Sequence, residues 1–169
     1  MSILEGYEVP TAVLVAREME IVSNAEIIGW ANNHSSVAPY TEDMAFDELR
    51  RSNPRRATDV EMAATRLAAL VQQHFPDFDK NSAEAEESVR NLFLRRLQEY
   101  CVSLTPPFTV CQMVQPIEEA YNFPVWLGDL YNACDWVDHR STLQQAPQVG
   151  EAVARILAEY GQPLSHRGD

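Results

Sequence analysis

The side chains whose type and spacing could do chemistry concentrate in one stretch, Pro116-Ile-Glu-Glu-Ala-Tyr-Asn-Phe-Pro-Val-Trp-Leu-Gly-Asp-Leu-Tyr-Asn-Ala-Cys-Asp-Trp-Val-Asp138. Its carboxylates, Glu118, Glu119, Asp129, Asp135 and Asp138, supply enough oxygen for a hard cation, and His139 follows directly. A di-metal helical bundle draws Glu-x-x-His pairs from two of its helices, and the sequence contains no Glu-x-x-His. His34, His74, His139 and His166 are scattered, none at ligand spacing from another His or a Cys. His74 reads as a satisfied core or edge histidine. Asp138-His139 is a poor acid–base pair, because neighbours on a helix point about 100° apart. There is no Gly-x-Ser-x-Gly elbow and no phosphate-cradling glycine loop. Cys134 falls on an apolar face with nothing nearby to stabilise a thiolate. No catalytic residue, metal or cofactor is therefore assigned, and the protein is not read as an enzyme.

The same stretch has the residue types of a protein interface. Pro116 and Pro124 suit first-turn positions, which predicts two consecutive helices. On the second, helical projection puts Trp126, Leu130, Ala133, Cys134 and Val137 on one apolar face, with Leu127 at its edge. Asp129, Asn132 and Trp136 share a second face, and Tyr131, Asp135 and Asp138 a third. Aromatics on polar faces have two explanations. Either neighbouring helices bury Trp136 and Tyr131 and satisfy their polar atoms, or these residues form an exposed Trp/Tyr/Asp surface of the kind that supplies interface hot spots. The candidate partner-binding set is Glu118, Glu119, Asp129, Tyr131, Asn132, Asp135, Trp136 and Asp138.

The elements that must position this stretch read as helices throughout. Ser23-x-x-Glu26 and Thr58-x-x-Glu61 are capping boxes that open two of them. Val60, Ala64, Leu67, Val71 and Phe75 form one stripe up to Pro76. Behind Ser82, a longer helix carries Val89, Phe93, Leu97, Tyr100 and Leu104 until Thr105-Pro106-Pro107. A shorter one runs from Glu42 to Arg51 behind Thr41. Val149, Val153, Ile156, Leu157 and Tyr160 mark a last helix closed by Gly161 in the left-handed cap conformation. No segment alternates as a strand should, and no element is assigned to residues 1–22. The expected fold is all-α, a compact bundle of six to eight helices in one domain over 1–162, with a polar tail over 163–169.

Composition narrows the partners. Thirteen Lys and Arg against 25 Asp and Glu give a net charge of −12, which repels nucleic acid and anionic membranes. Acidity is concentrated at the ends: residues 1–49 hold nine acids and one Arg, and residues 101–169 eight acids and three Arg. Between them, Arg50, Arg51, Arg55 and Arg56 cluster in a loop that is expected to pair with the protein's own acids, the alternative being a site for phosphate or an acidic partner. No apolar run is long enough to span a bilayer, and the first residues lack the basic start of a signal peptide, so a cytoplasmic location is expected. Cys101, Cys111 and Cys134 are odd in number without Cys-x-x-Cys spacing, and read as reduced, buried fillers.

The run Pro124-x-Trp126-Leu-Gly-Asp-Leu-Tyr-Asn-Ala-Cys-Asp-Trp136, within about 116–141, resembles a motif of a bacterial family of small helical proteins of unknown function. Proteins of that kind resemble the immunity proteins encoded beside polymorphic or contact-dependent toxins. The resemblance implies an acidic, cytoplasmic inhibitor that neutralises a protein partner such as a basic toxin domain. The competing readings are a small helical enzyme or metal protein using the 118–139 carboxylates, and a structural adaptor or homo-oligomer.

Overall fold

A computed structural model describes residues 2–34 and 39–161, so the polar tail and His166 lie outside the described residues. Among these, the chain is all helical: α1 (Pro10–Glu18), α2 (Asn24–Asn32), a 3-10 turn (Pro39–Glu42), α3 (Met44–Arg51), α4 (Ala57–His74), α5 (Ala83–Val102), α6 (Pro107–Tyr121), a second 3-10 turn (Val125–Leu127), α7 (Leu130–Ala133) and α8 (Pro147–Tyr160). The described residues contain no strand. They divide into two compact units, one up to Leu92 and one from Phe93, the boundary falling within α5.

In the first unit α4 is the hub, packed by α1, α2 and α3. Pro10 at the first turn starts α1, whose Val13, Val15 and Ala16 are wholly buried. The capping box at Ser23 forms as expected, with its hydroxyl accepting from the Glu26 amide and the Glu26 carboxylate accepting from the Ser23 amide. The box at Thr58 does not form. There α4 begins two residues earlier, at Ala57 behind Arg56, and Asp59 accepts from the Asn53 amide at 2.9 Å. Asp43, not Thr41, caps α3 by accepting from the Ala45 amide at 2.7 Å, since residues 39–42 are already used in a 3-10 turn. The stripe of α4 is rotated slightly from the sequence reading, burying Ala63, Leu67, Leu70 and Val71.

Four aromatic rings of this unit close on each other. Trp30, His34, Tyr40 and Phe46 form edge-on or tilted contacts at 4.9–6.1 Å between centroids. Each polar edge has a partner: Trp30 Nε1 donates to the Tyr7 carbonyl at 2.6 Å, the Tyr40 hydroxyl donates to the Glu8 carbonyl, and His34 Nε2 lies 3.1 Å from that hydroxyl. Burial holds the His34 pKa below its ordinary value and pushes that of Tyr40 up. His74 is the satisfied edge histidine the sequence suggested, 2.9 Å from an Asp43 carboxylate oxygen. That bond, followed by the one from the Ala45 amide, holds the Asp43 carboxyl below the usual carboxylate range.

The second unit departs further from expectation. Phe93, Leu97 and Tyr100 are buried along its part of α5, as Val89 is in the first unit, but Leu104 is 91% exposed because the helix ends at Val102. Pro116 does not open a helix. It sits inside α6, which starts at Pro107, and its missing N–H leaves the carbonyl four residues earlier without a helical donor. Gly161 follows α8 at φ −83°, so no left-handed cap forms. Glycine is required for room instead, since a Cβ there would lie 2.6 Å from the Leu157 carbonyl oxygen.

Candidate functional site

Segment 122–138 is not the regular helix the sequence predicts. Asn122 and Phe123 take φ values of 52° and 53°, turning the chain out of α6. Trp126 and Leu127 then anchor a 3-10 turn, both buried. Gly128, at φ 57°, reverses the backbone against α8, where an added Cβ would meet Ile156 Cγ1 at 3.0 Å. After α7, whose Leu130 is wholly buried and Ala133 nearly so, successive turns are closed by the Asp135 amide on the Asn132 carbonyl and the Val137 amide on the Cys134 carbonyl. Trp136 is the third residue of that last turn, at φ 66°. Glycine or asparagine normally supplies a positive φ there.

The apolar face expected here survives in its buried members, Trp126, Leu127, Leu130 and Ala133. Cys134 and Val137 are only half-buried. Of the two explanations for the aromatics, burial fails: Trp136 is 100% exposed and Tyr131 47%. Phe123 and Val125 add to this surface at 59% and 82%, and Phe123 stacks edge-on against Tyr131 at 5.6 Å. Neither residue was singled out from the sequence. The available signal was an aromatic flanked by Asn122 and Pro124, where no helix can bury it.

Asp129, Asn132, Asp135 and Asp138 are all exposed in the same segment. Asp129 meets Arg155 at 3.5 Å, a solvent-facing pair of the kind that contributes little to stability. Asp138 is tied up locally, its carboxylate accepting from the Arg140 amide at 2.7 Å and its own amide donating to Ser141. Glu118 and Glu119 belong to α6. Glu119 is exposed and accepts from Gln115 at 2.9 Å, while Glu118 is half-buried with a carboxylate oxygen that has no hydrogen-bond donor. No set of three or more His, Cys, Asp or Glu side chains converges among the described residues. His139 lies in a turn, its ring 6.4 Å from that of Phe108.

The cysteine reading is overturned. Cys111 of α6 and Cys134 are joined in a disulfide with Cα atoms 5.5 Å apart, both residues half-buried, and Cys101 is an exposed free thiol. Spacing along the chain cannot reveal such a pair, because a disulfide needs only that the Cα atoms approach within about 4.4–6.8 Å in the fold. The arginine loop pairs largely as expected. Arg51 meets Asp47 at 3.2 Å, Arg56 meets Asp59 at 4.0 Å, and Arg50 lies over the Phe46 ring at 5.7 Å.

No helix among the described residues is long and apolar enough to cross a membrane. Comparison of the chain with protein-family models, with curated proteins and with solved structures found no match.

Proposed function

We propose that this protein is an immunity-like inhibitor that captures a basic protein partner, with segment 123–138 as the docking surface. One observation carries the reading: Trp136, the side chain with the most apolar area to hide, is wholly exposed on a backbone conformation that costs an L-residue about 1–2 kcal/mol. Neither cost is recovered by packing within the described chain. A partner pocket that buries the indole would recover the exposure. Phe123 and Tyr131 would extend the contact, and Asp129, Asp135 and the chain's net charge of −12 would steer a basic partner toward it.

Co-expression with the basic protein encoded beside its gene, followed by co-purification, tests the proposal. A complex with the native chain is expected, and Trp136→Ala is expected to weaken it by about 2 kcal/mol or more. An equally tight complex with Trp136→Ala overturns the assigned surface, and no complex at micromolar concentration overturns the role.

A further inference from the structure

The Trp136 surface is tethered at few points. Its regular structure is one four-residue helix and a 3-10 turn, and past Cys134 the chain runs through turns with residues 138–140 and 142–145 exposed before Ala146 is buried. The non-covalent ties of this segment include the amides of Ala133, Cys134, Asp135 and Val137 on local carbonyls, the Gln148 side chain on the Ala133 carbonyl at 3.3 Å, the exposed Asp129–Arg155 pair, the ring contact of His139 with Phe108 and the buried side chain of Leu130. Against these stands one covalent tie. The Cys111–Cys134 bond fixes the chain to α6 two residues before Trp136, and it closes a loop with a sequence separation of 23 that contains Phe123, Val125 and Tyr131.

We propose that this disulfide is a redox clamp on the aromatic surface: oxidised, it holds Phe123, Tyr131 and Trp136 in one presented arrangement, and reduced, it lets residues 133–140 open while the buried Leu130 and the rest of the unit stay folded. The first half rests on the docking role proposed above, whereas the local opening does not. Both sulfurs belong to half-buried residues, within reach of an external dithiol. A thiolate of that dithiol attacks one sulfur and breaks the Cys111–Cys134 bond, leaving a mixed disulfide. Its second thiol then closes on the first, so the dithiol loses two electrons and two protons as both cysteines become thiols. Local rather than global opening is expected because α6 and α8 keep their own buried residues: Val110, Met113 and Ile117 on α6, and Val149, Val153 and Ile156 on α8.

Amide hydrogen exchange decides the matter in a Cys101→Ser background, which removes the exposed thiol that could scramble the bond. Oxidised and dithiothreitol-reduced protein are compared, with the oxidation state checked by peptide mapping. Reduction is expected to raise exchange of the Ala133, Cys134, Asp135 and Val137 amides on the order of tenfold to a hundredfold, with α6 and α8 unchanged. Cys111→Ser should behave like the reduced chain. Unchanged exchange at these amides overturns the clamp, as does equal opening of α6 and α8, which would make the bond a staple of the whole unit, or absence of the bond in air-oxidised protein. Exchange is read on the chain alone, so a failed docking role, seen when Trp136→Ala leaves the complex intact, remains a separate result.

Discussion

The aromatic cluster of the first unit and the aromatic residues of segment 123–136 in the second are used in opposite ways. In the first, Trp30, His34, Tyr40 and Phe46 are buried against each other, and every polar edge finds a partner. In the second, Phe93, Tyr100 and Trp126 are buried, with Trp126 5.5 Å from Phe93, but Phe123, Tyr131 and Trp136 are exposed. The first arrangement converts area into stability at roughly 25 cal/mol per Å² of apolar surface removed from water. The second leaves that gain unrealised, and the backbone adds strain at Asn122, Phe123 and Trp136. A core and an exposed aromatic surface differ less in composition than in whether the backbone bends to hide the rings or to show them.

The contrast breaks first if Phe46→Ala is tolerated. Phe46 is wholly buried at the centre of its cluster, and truncation should destabilise by about 3–5 kcal/mol in chemical denaturation. A smaller effect comes from Gly128→Ala, which puts a Cβ at φ 57° and 3.0 Å from Ile156 Cγ1. It should cost about 1–3 kcal/mol, and no loss in melting temperature would mean that the reversal below α7 is not fixed by that glycine. A pH series sharpens the buried side. His34 has its folded pKa below 6.5, so the folded state binds fewer protons than the unfolded one in the window between the two values. Stability from this group is full above 6.5 and falls as pH drops through the window. His34→Gln, which cannot titrate there, should flatten that slope in denaturation midpoints taken from about pH 7 to pH 5. The least effect belongs to Trp136→Gly, which removes an exposed ring and relieves a positive φ. Stability should stay unchanged or rise by up to about 1 kcal/mol, and a clear loss would show that the indole packs in solution.

The all-helical class was legible because capping and periodicity are local. The Ser23 box, the α4 stripe and the long α5 could be read from side chains a few residues apart. The helix at 10–18 also carried a usable local signal, Pro10 ahead of an apolar run, and Pro107 likewise marked the start of α6. What could not be read depends on chain segments meeting. Helical projection of 124–138 placed Trp126, Leu130 and Ala133 correctly inside, but it assumed a continuous helix where Gly128 reverses the backbone against α8. The disulfide is of the same kind, since α6 and Cys134 meet only through the fold. The exposed aromatics were suspected from their polar neighbours. Their exposure was decided by the break in the helix.

The exposure of Trp136 also gives the protein an optical handle. Of its three tryptophans, Trp30 and Trp126 are 7% and 6% exposed and Trp136 is fully in water. The red edge of the emission therefore reports on one indole, with the other two as an internal reference. Asp135 next to it, within a chain of charge −12, should raise the caesium-to-iodide quenching ratio of that emission above that of free tryptophan. An added molecule that covers the indole would shift the spectrum to the blue without any label.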